Sequence, residues 1–390
     1  MRIAHLITRM ILGGAQENTL LTCEDLLHVY SDDVLLITGP ALGPEGSLLA
    51  RAESRGVPVE VLPALRREIH PWRDLRSYFA IKRALARFRP DVVHSHSGKA
   101  GLLGRMAAHA LGVPAIVHTV HGAPFHPYQS GAARAVLRAC ERYAAARCDA
   151  LVSVADAMTD LMVDAGIAPR EKFTTVYSGM EVKPLFADLS ACQRVRDRFG
   201  YSNRHIVVGK IARLFHLKGH ADVVAAAAMA IRSNPNLRFL FVGDGVLREP
   251  LRRQIRQTGL EGYFEFTGLV PPGDIPTLLG AMDIVVHTSL REGLARVLPQ
   301  ALIAGKPVVS YDIDGAREVV IPDKTGVLLP PRNVAGLAAA LVHLAEDPGL
   351  RNRLGACGRA MFTEQFRHEN MTAQLRTLYK RILAEKQRTR

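Results

Sequence analysis

The sequence predicts an α/β protein made of two doubly wound parallel sheets. Three observations carry that reading. Short runs rich in Val, Ile and Leu alternate with longer stretches of helical periodicity along the chain. The runs are continuously apolar, as in strands covered on both faces, and do not show the in-out alternation of a half-exposed strand. The alternation lapses once, over the polar segment from about Lys183 to Arg204, and then restarts. With 390 residues, the chain has the length of two ordinary domains.

In the first half the predicted strands are IAHLIT from Ile3, DVLLITG from Asp33, VPVEVL from Val57, DVVHSH from Asp91, AIVHTVHG from Ala115, ALVSV from Ala150 and TTVYSG from Thr174. In the second half they are IVVGKIAR from Ile206, LRFLFVGDG from Leu237, FEFTG from Phe264, DIVVHTS from Asp283, PVVSYD from Pro307 and GVLLP from Gly326. Strand–helix alternation of this kind builds parallel sheets. The expected domains are residues 1–183 and 184–368, two Rossmann-like units facing across a groove. A basic helix from about Glu369 to the end is expected to cross back onto the first.

The formal charge of +13 favours anionic partners without choosing among nucleotide phosphates, nucleic acid and an acidic membrane surface. The five cysteines are scattered, with no Cys-x-x-Cys spacing, and read as reduced thiols of a cytoplasmic protein. The opening MRIAHLITRMILGGAQ is not a signal peptide pattern, because Thr8 and Arg9 break its apolar run. No uncharged run is long enough to span a bilayer. If Trp72 to Phe88 is one helix, Arg73, Arg76, Arg83 and Arg87 fall on one face at about 100° per residue, with Leu75, Phe79, Leu85 and Phe88 elsewhere. That face is either simply solvated or a contact for an anionic membrane, peripheral and on the cytoplasmic side.

Almost every polar motif follows an apolar run, where an open parallel sheet forms its ligand crevice. Gly13-Gly14-Ala15-Gln16 ends one strand and opens a helix, which is either a structural turn or a close backbone approach to an anion or hydroxyl. His121 ends a strand ahead of Gly122 and can face a crevice; His94 and His118 lie inside apolar runs and read as packed. Arg213 and Lys218 sit five residues apart in one loop, a spacing that lets two cations converge on a diphosphate. No acidic metal cluster accompanies them, so they could stabilise charge on a leaving phosphate in a metal ion's place. Glu292 precedes GLARVLPQAL. If that segment is helical from Gly293, Gln300 lies on nearly the same face about 12 Å along, at ~1.5 Å per residue. The helix start at Gly293 could then hold phosphates. Each acid or cation could equally be a solvated residue or a complement to a helix dipole, and Glu318 in DGAREVV reads the same way.

Taken as a set and in this order, the motifs resemble the retaining glycosyltransferases of family 4, which have the GT-B architecture of two facing Rossmann-like domains. The resemblance runs through Gly13-Gly14, His121, Arg213…Lys218-Gly219, Gly243-Asp244-Gly245, Phe266-Thr267-Gly268 and the REG…QA block. The block HSHSGKAGLLGR from His94 is similar to the subgroup acting on polysaccharides and lipid-linked saccharides. The resemblance implies a hexosyl transfer, with retention, from a nucleotide-sugar donor, expected to be UDP-linked, to a lipid-linked or polysaccharide hydroxyl, without a metal or other cofactor. It implies catalytic roles for His121, Arg213, Lys218 and Glu292, and donor contacts from Gly14, Gly243, Gly268, Val270, Gly293, Leu294 and Gln300. Gly13, Gln16 and Lys99 would lie toward the acceptor or a phosphate. The family often carries a second glutamate where this chain has Gln300; an amide can still bond both ribose hydroxyls. Two other readings are a nucleotide-sugar epimerase of the same layout, and a non-catalytic basic protein bound to membrane or nucleic acid. Nucleic acid is not an expected partner, since no stacking motif or zinc spacing accompanies the charge.

Overall fold

A computed structural model describes residues 1–43, 46–186 and 188–388. The chain divides into two compact units, residues 1–180 with 366–390, and residues 181–365.

The first unit runs β1 (Arg2–Arg9), α1 (Gly14–His28), β2 (Asp33–Gly39), α2 (Leu49–Ser54), β3 (Val59–Val61), α3 (Pro71–Phe88), β4 (Val92–His96), α4 (Gly98–Ala110), β5 (Ala115–Val120), α5 (Gly131–Ala145), β6 (Ala150–Ser153), α6 (Asp156–Asp164) and β7 (Phe173–Thr175). The second runs α7 (Leu189–Arg198), β8 (Ile206–Ile211), α8 (His220–Ser233), β9 (Leu237–Val242), α9 (Arg248–Gln257), β10 (Phe264–Gly268), α10 (Ile275–Ala281), β11 (Ile284–His287), α11 (Val297–Ile303), β12 (Val308–Tyr311), β13 (Gly326–Leu329), α12 (Val334–Glu346) and α13 (Pro348–Phe362). The last helix, α14 (His368–Arg388), belongs to the first unit.

Both sheets are parallel throughout. Their strand orders are β3-β2-β1-β4-β5-β6-β7 and β10-β9-β8-β11-β12-β13. Each winds outward one way, returns to the middle and winds the other way. The reversal falls between β1 and β4 in the first sheet and between β8 and β11 in the second. At such a reversal the loops leaving two neighbouring strands part to opposite faces and open a crevice. Each predicted apolar run coincides with or overlaps a strand; TTVYSG shares only Thr174 and Thr175 with β7. The polar segment after Lys183 folds as α7, capped by Asp188, whose carboxylate accepts from the Ser190 and Ala191 amides.

The cores are the runs themselves. Ile3, Ile7, Val34, Leu36, Val92 and Val117 bury against Leu375, Leu378, Tyr379 and Ile382 of α14. In the second unit Val208, Phe239, Phe241, Ile284 and Val309 pack with Val223, Ala227 and Leu341. Helix α14 is also fixed by charge. Burial would raise the Asp32 carboxyl, but the Arg376 guanidinium at 2.7 Å and the chain's amino terminus at 2.8 Å outweigh it and hold the carboxyl below its ordinary value.

One sequence expectation is incomplete. Trp72 to Phe88 is helical, so its four arginines share one angular sector, but two of them are already paired and exposed apolar side chains border them. Arg73 pairs with Glu68 and Arg87 with Glu60. Leu75 and Phe79 point outward beside Arg76 and Arg83, while Ser77, Ile81, Ala84 and Leu85 take the buried side. The inner face is set by Ser77, Ile81, Ala84 and Leu85, and the aromatic side chains Trp72 and Phe79 are left outside.

If α14 is part of the first core, Leu375→Ala should cost about 2–5 kcal/mol, as truncation of a buried leucine does. Urea unfolding of the intact chain measures this, and a loss below about 1 kcal/mol would mean that the helix packs loosely.

Candidate active site

The second unit concentrates its polar groups where β8 and β11 end. After β8 the chain turns through Ala212 to Gly219 and enters α8. Gly219 is at φ 68°, and a Cβ there would lie 1.9 Å from the Thr288 carbonyl oxygen, so only glycine lets this loop approach β11's exit. The Thr288 hydroxyl donates to the Gly219 carbonyl at 2.7 Å and accepts from the Lys210 ammonium at 2.9 Å. Lys210 is fully buried on β8. Burial first, and then the neighbouring Lys218, push its pKa down to about 7, against the opposing pull of Glu292 and Asp222.

Lys218 reaches across the same exit and forms an ion pair with Glu292. His287, at the end of β11, places Nε2 3.9 Å from the Glu292 carboxylate, and its Nδ1 lies 3.2 Å from the Ser310 hydroxyl. Burial would raise the Glu292 carboxyl; His287 and Lys218 outweigh it and bring its pKa to about 2. Glu292 is therefore an acceptor at neutral pH and has no proton to give. Its backbone is pinned as well. The Glu292 amide donates to Asp314 Oδ2 at 2.6 Å, and the Gly315 amide donates to the Gly293 carbonyl at 3.0 Å. Burial raises the Asp314 carboxyl above its ordinary value.

The helix expected from Gly293 starts later. Glu292 to Ala295 are irregular and α11 begins at Val297. Pro299 explains the shift. Proline is tolerated in the first turn, where no amide is needed, but farther in it loses a bond and clashes with the carbonyl four residues back. A helix starting at Gly293 would have put Pro299 in its interior. Glu292 and Gln300 are thus not two positions on one helix face, the 12 Å estimate does not apply, and Gly293 and Leu294 are buried loop residues. The second expected helix start, at Asp314 to Glu318, is a single 3₁₀ segment.

Gly243 and Gly268 come together. The Gly243 amide donates to the Gly268 carbonyl at 3.1 Å. Gly243 has φ 134°, and a Cβ would sit 2.3 Å from the Ala212 carbonyl oxygen. Val270 lies just beyond and, with Thr267, Arg194, Phe199 and Thr277, lines a pocket of about 420 Å³. Arg213 is exposed, its guanidinium 5.2 Å from the Phe215 ring centre.

In the first unit Gly13 ends the turn after β1 and Gly14 begins α1, with Gln16 Oε1 only 2.6 Å from where a Gly13 Cβ would be. His94 and His118 are packed, as expected. His121 is the outer end of a chain of rings: its Nε2 lies 3.1 Å from His96 Nδ1, and His96 Nε2 lies 3.0 Å from His5 Nδ1. His5 and His96 are fully buried, and desolvation holds both neutral, His5 at about 3. A chain of neutral imidazoles can carry its protons in one of two directions. One would put a proton on His5 Nε2, which is buried without a partner. An orphaned buried N–H is the less tolerable choice, so His96 donates from Nδ1 and His121 accepts at Nε2. Among the described residues, His5, His94 and His96 are the one group close enough to share a metal ion. Five of their six nitrogens are engaged otherwise: His5 Nδ1 with His96 Nε2, His96 Nδ1 with His121, and His94 with Thr119 at 2.6 Å and with Tyr379. Lys99 is turned toward α3, where its ammonium donates to Asp74 at 2.6 Å and to the Glu68 carbonyl.

The structure thus joins Lys218 to Glu292 and Gly243 to Gly268, and ties His121 to a buried relay. The sequence reading passed over Lys210, Thr288, His287, Asp314 and His5. Lys210 had a visible signal, a lysine inside an apolar strand. The others are recognisable only once the strands are side by side.

Two parallel sheets, each with its polar groups gathered at the reversal of strand order, define an α/β enzyme with two Rossmann-like domains. The family profile described as "Glycosyl transferases group 1" matches residues 193–361, and the "Glycosyl transferase 4-like domain" profile matches residues 27–179. The chain belongs to these GT-B glycosyltransferases. It is 28% identical over 348 residues to the UDP-Gal:alpha-D-GlcNAc-diphosphoundecaprenol alpha-1,3-galactosyltransferase of Escherichia coli, covering 89% of this chain and 88% of that one. It is 28% identical over 291 residues to the 2-deoxystreptamine glucosyltransferase of Streptomyces kanamyceticus, covering 73% and 75%. Its fold matches that of Anabaena Alr3699/HepE, solved in complex with UDP, with a TM-score of 0.80 and 24% identity over 97% of this chain and 100% of that one.

Two outcomes test this geometry. The unfolded chain keeps the Lys210 proton up to about pH 10.5, whereas the folded chain releases it near 7. The unfolded state then binds the extra proton, so stability should rise with pH across that window. Lys210→Met should flatten the rise in urea midpoints measured from pH 6 to 9; equal slopes in the two proteins would contradict the buried titration. Nitrogen-labelled histidine should show His121 with its proton on Nδ1. His96→Leu should release that preference, and an unchanged imidazole spectrum would refute the relay.

Proposed function

We propose that this protein transfers a hexosyl group from a UDP-linked sugar to a hydroxyl of a lipid-linked or polysaccharide acceptor, with retention of the anomeric configuration. The observation that carries the reading is the Lys218–Glu292 pair at the β8/β11 reversal, backed by buried Lys210. A cation and an ionised carboxylate fixed side by side suit the two ends of a sugar diphosphate. Lys218, with Arg213, attracts the phosphates, and Glu292 accepts from sugar hydroxyls. The E. coli relative's name gives a UDP-sugar donor and a diphosphoundecaprenol-linked acceptor. The names of the relatives compared describe transferases, which does not favour an epimerase or a binding protein without catalysis.

In the proposed step the bond from the anomeric carbon to the diphosphate oxygen breaks as the acceptor oxygen bonds to the same face of that carbon. The acceptor proton passes to the leaving phosphate. Negative charge grows on that phosphate, and Lys218 and Arg213 stabilise it where a metal ion would otherwise be needed. Gly243, Gly268 and Val270 receive the nucleobase, Gly293 and Leu294 border the donor sugar, and Gln300 bonds the ribose. In the first unit Gly13, Gly14 and Gln16 lie toward a phosphate or the acceptor, and His121 faces the reacting sugar. A Nδ1–H tautomer makes His121 a hydrogen-bond donor there. The ion pair to Asp74 leaves Lys99 with a supporting role. The five unpaired cysteines agree with work in the cytoplasm.

UDP and UDP-sugars should raise the melting temperature of the intact protein. Arg213→Ala with Lys218→Ala should abolish that rise and lower transfer to a diphosphate-lipid acceptor by about 100-fold or more, the usual loss when charge stabilisation is removed. Near-normal transfer by the double variant would refute the role, and interconversion of the donor without an acceptor would point to an epimerase.

A further inference from the structure

The outer face of α3 does not behave like an ordinary solvated surface. At about 100° per residue, Trp72, Leu75, Arg76, Phe79 and Arg83 fall within a sector of roughly 100°, opposite the buried Ser77, Ile81, Ala84 and Leu85. Trp72 is 74% exposed, Phe79 55% and Leu75 47%, and Ile69, just before the helix, is 85% exposed. Three large apolar side chains thus lie in water beside two arginines, on a helix whose other side is already packed. The helix carries Arg73, Arg76, Lys82, Arg83 and Arg87 against a single acid, Asp74, which is turned inward to Lys99. The nearby acids Glu68 and Glu60 are neutralised by Arg73 and Arg87. The exposed sector therefore presents aromatic and aliphatic groups interleaved with unopposed positive charge. No helix among the described residues is long and apolar enough to cross a membrane.

We propose that this face docks the protein on an anionic phospholipid surface, with Ile69, Trp72, Leu75 and Phe79 entering the headgroup–acyl boundary. Arg76 and Arg83 extend their guanidinium groups to lipid phosphates. Charge complementarity selects the partner. Apolar anchors alone would suit a protein groove, but arginines spaced between them would then be buried without counterions, whereas a headgroup layer supplies phosphates at that depth. Neither component is strong singly, and together they give the paired apolar and electrostatic signal that stable interfacial binding needs. The docking does not depend on the catalytic assignments.

The protein carries its own probe, since Trp72 is its one tryptophan. Titrating the intact chain with phosphatidylcholine vesicles containing phosphatidylglycerol should shift the emission to the blue, and brominated acyl chains should quench it. Pure phosphatidylcholine vesicles should do neither, and added salt should weaken the effect. Leu75→Ser with Phe79→Ser, and separately Arg76→Glu with Arg83→Glu, should each weaken vesicle co-flotation by about tenfold or more with the melting temperature preserved. The proposal is overturned if anionic vesicles leave the emission unchanged at low salt, or if both double variants float like the parent. It is also overturned if the blue shift develops without lipid as protein concentration rises, which would make the face a contact between copies of the chain.

Discussion

A parallel strand covered on both faces has almost nowhere to display a polar side chain except its carboxyl end. Both sheets of this protein obey that constraint, and the placement of its chemistry follows. Interior positions of β1, β4, β8 and β11 are mostly apolar and buried. Where these strands leave the sheet, the reversal of order separates their loops, and Gly13-Gly14, Lys218 and Glu292 stand beyond strand ends, with His121 at the end of β5 next to β4. The main exceptions inside these strands, His5, His94, Ser95, His96 and Lys210, are fully buried polar groups.

These exceptions share a physical logic. A titratable group in a low-dielectric interior is costly when charged, so burial drives imidazoles and the Lys210 amine toward their neutral forms. A neutral group that is hydrogen-bonded is a rigid strut. Lys210 holds Thr288, which holds the Gly219 carbonyl and so the turn that carries Lys218. His5 holds His96, which holds the ring of His121. In both units a group at the strand exit is oriented by one that solvent cannot reach, which is how a site is preorganised without relying on loop stiffness.

The strands were legible because a doubly covered strand advertises itself by continuous apolarity, a signal independent of partners. The domain repeat was legible for the same reason. The start of α11 was misjudged because acid, glycine and apolar spacing all suggested a helix from Gly293, while a single proline six residues on ruled it out. The four arginines of α3 were legible as one angular sector, but periodicity ranks residues by angle and does not say which side the fold will accept; α3 buries Ser77 and Ala84 and leaves Trp72 and Phe79 outside, bordering that sector. Lys210 was seen as part of a strand and its charge was not weighed. His287 and Asp314 acquire meaning only from Glu292, and no local pattern connects positions that neighbouring strands bring together.

Pro299 has a reach beyond its own turn. Because it fixes where α11 can begin, the stretch from Ser289 to Ala295 is free of helical register. Glu292 is anchored to Asp314, and Gln300 rides on the helix. The position of Glu292 is therefore set by the hydrogen bonds of its own loop, and that of Gln300 by the helix. A lineage could thus vary the loop that carries Glu292 while leaving the Gln300 amide where it is, and the proline acts as the clutch that separates the two.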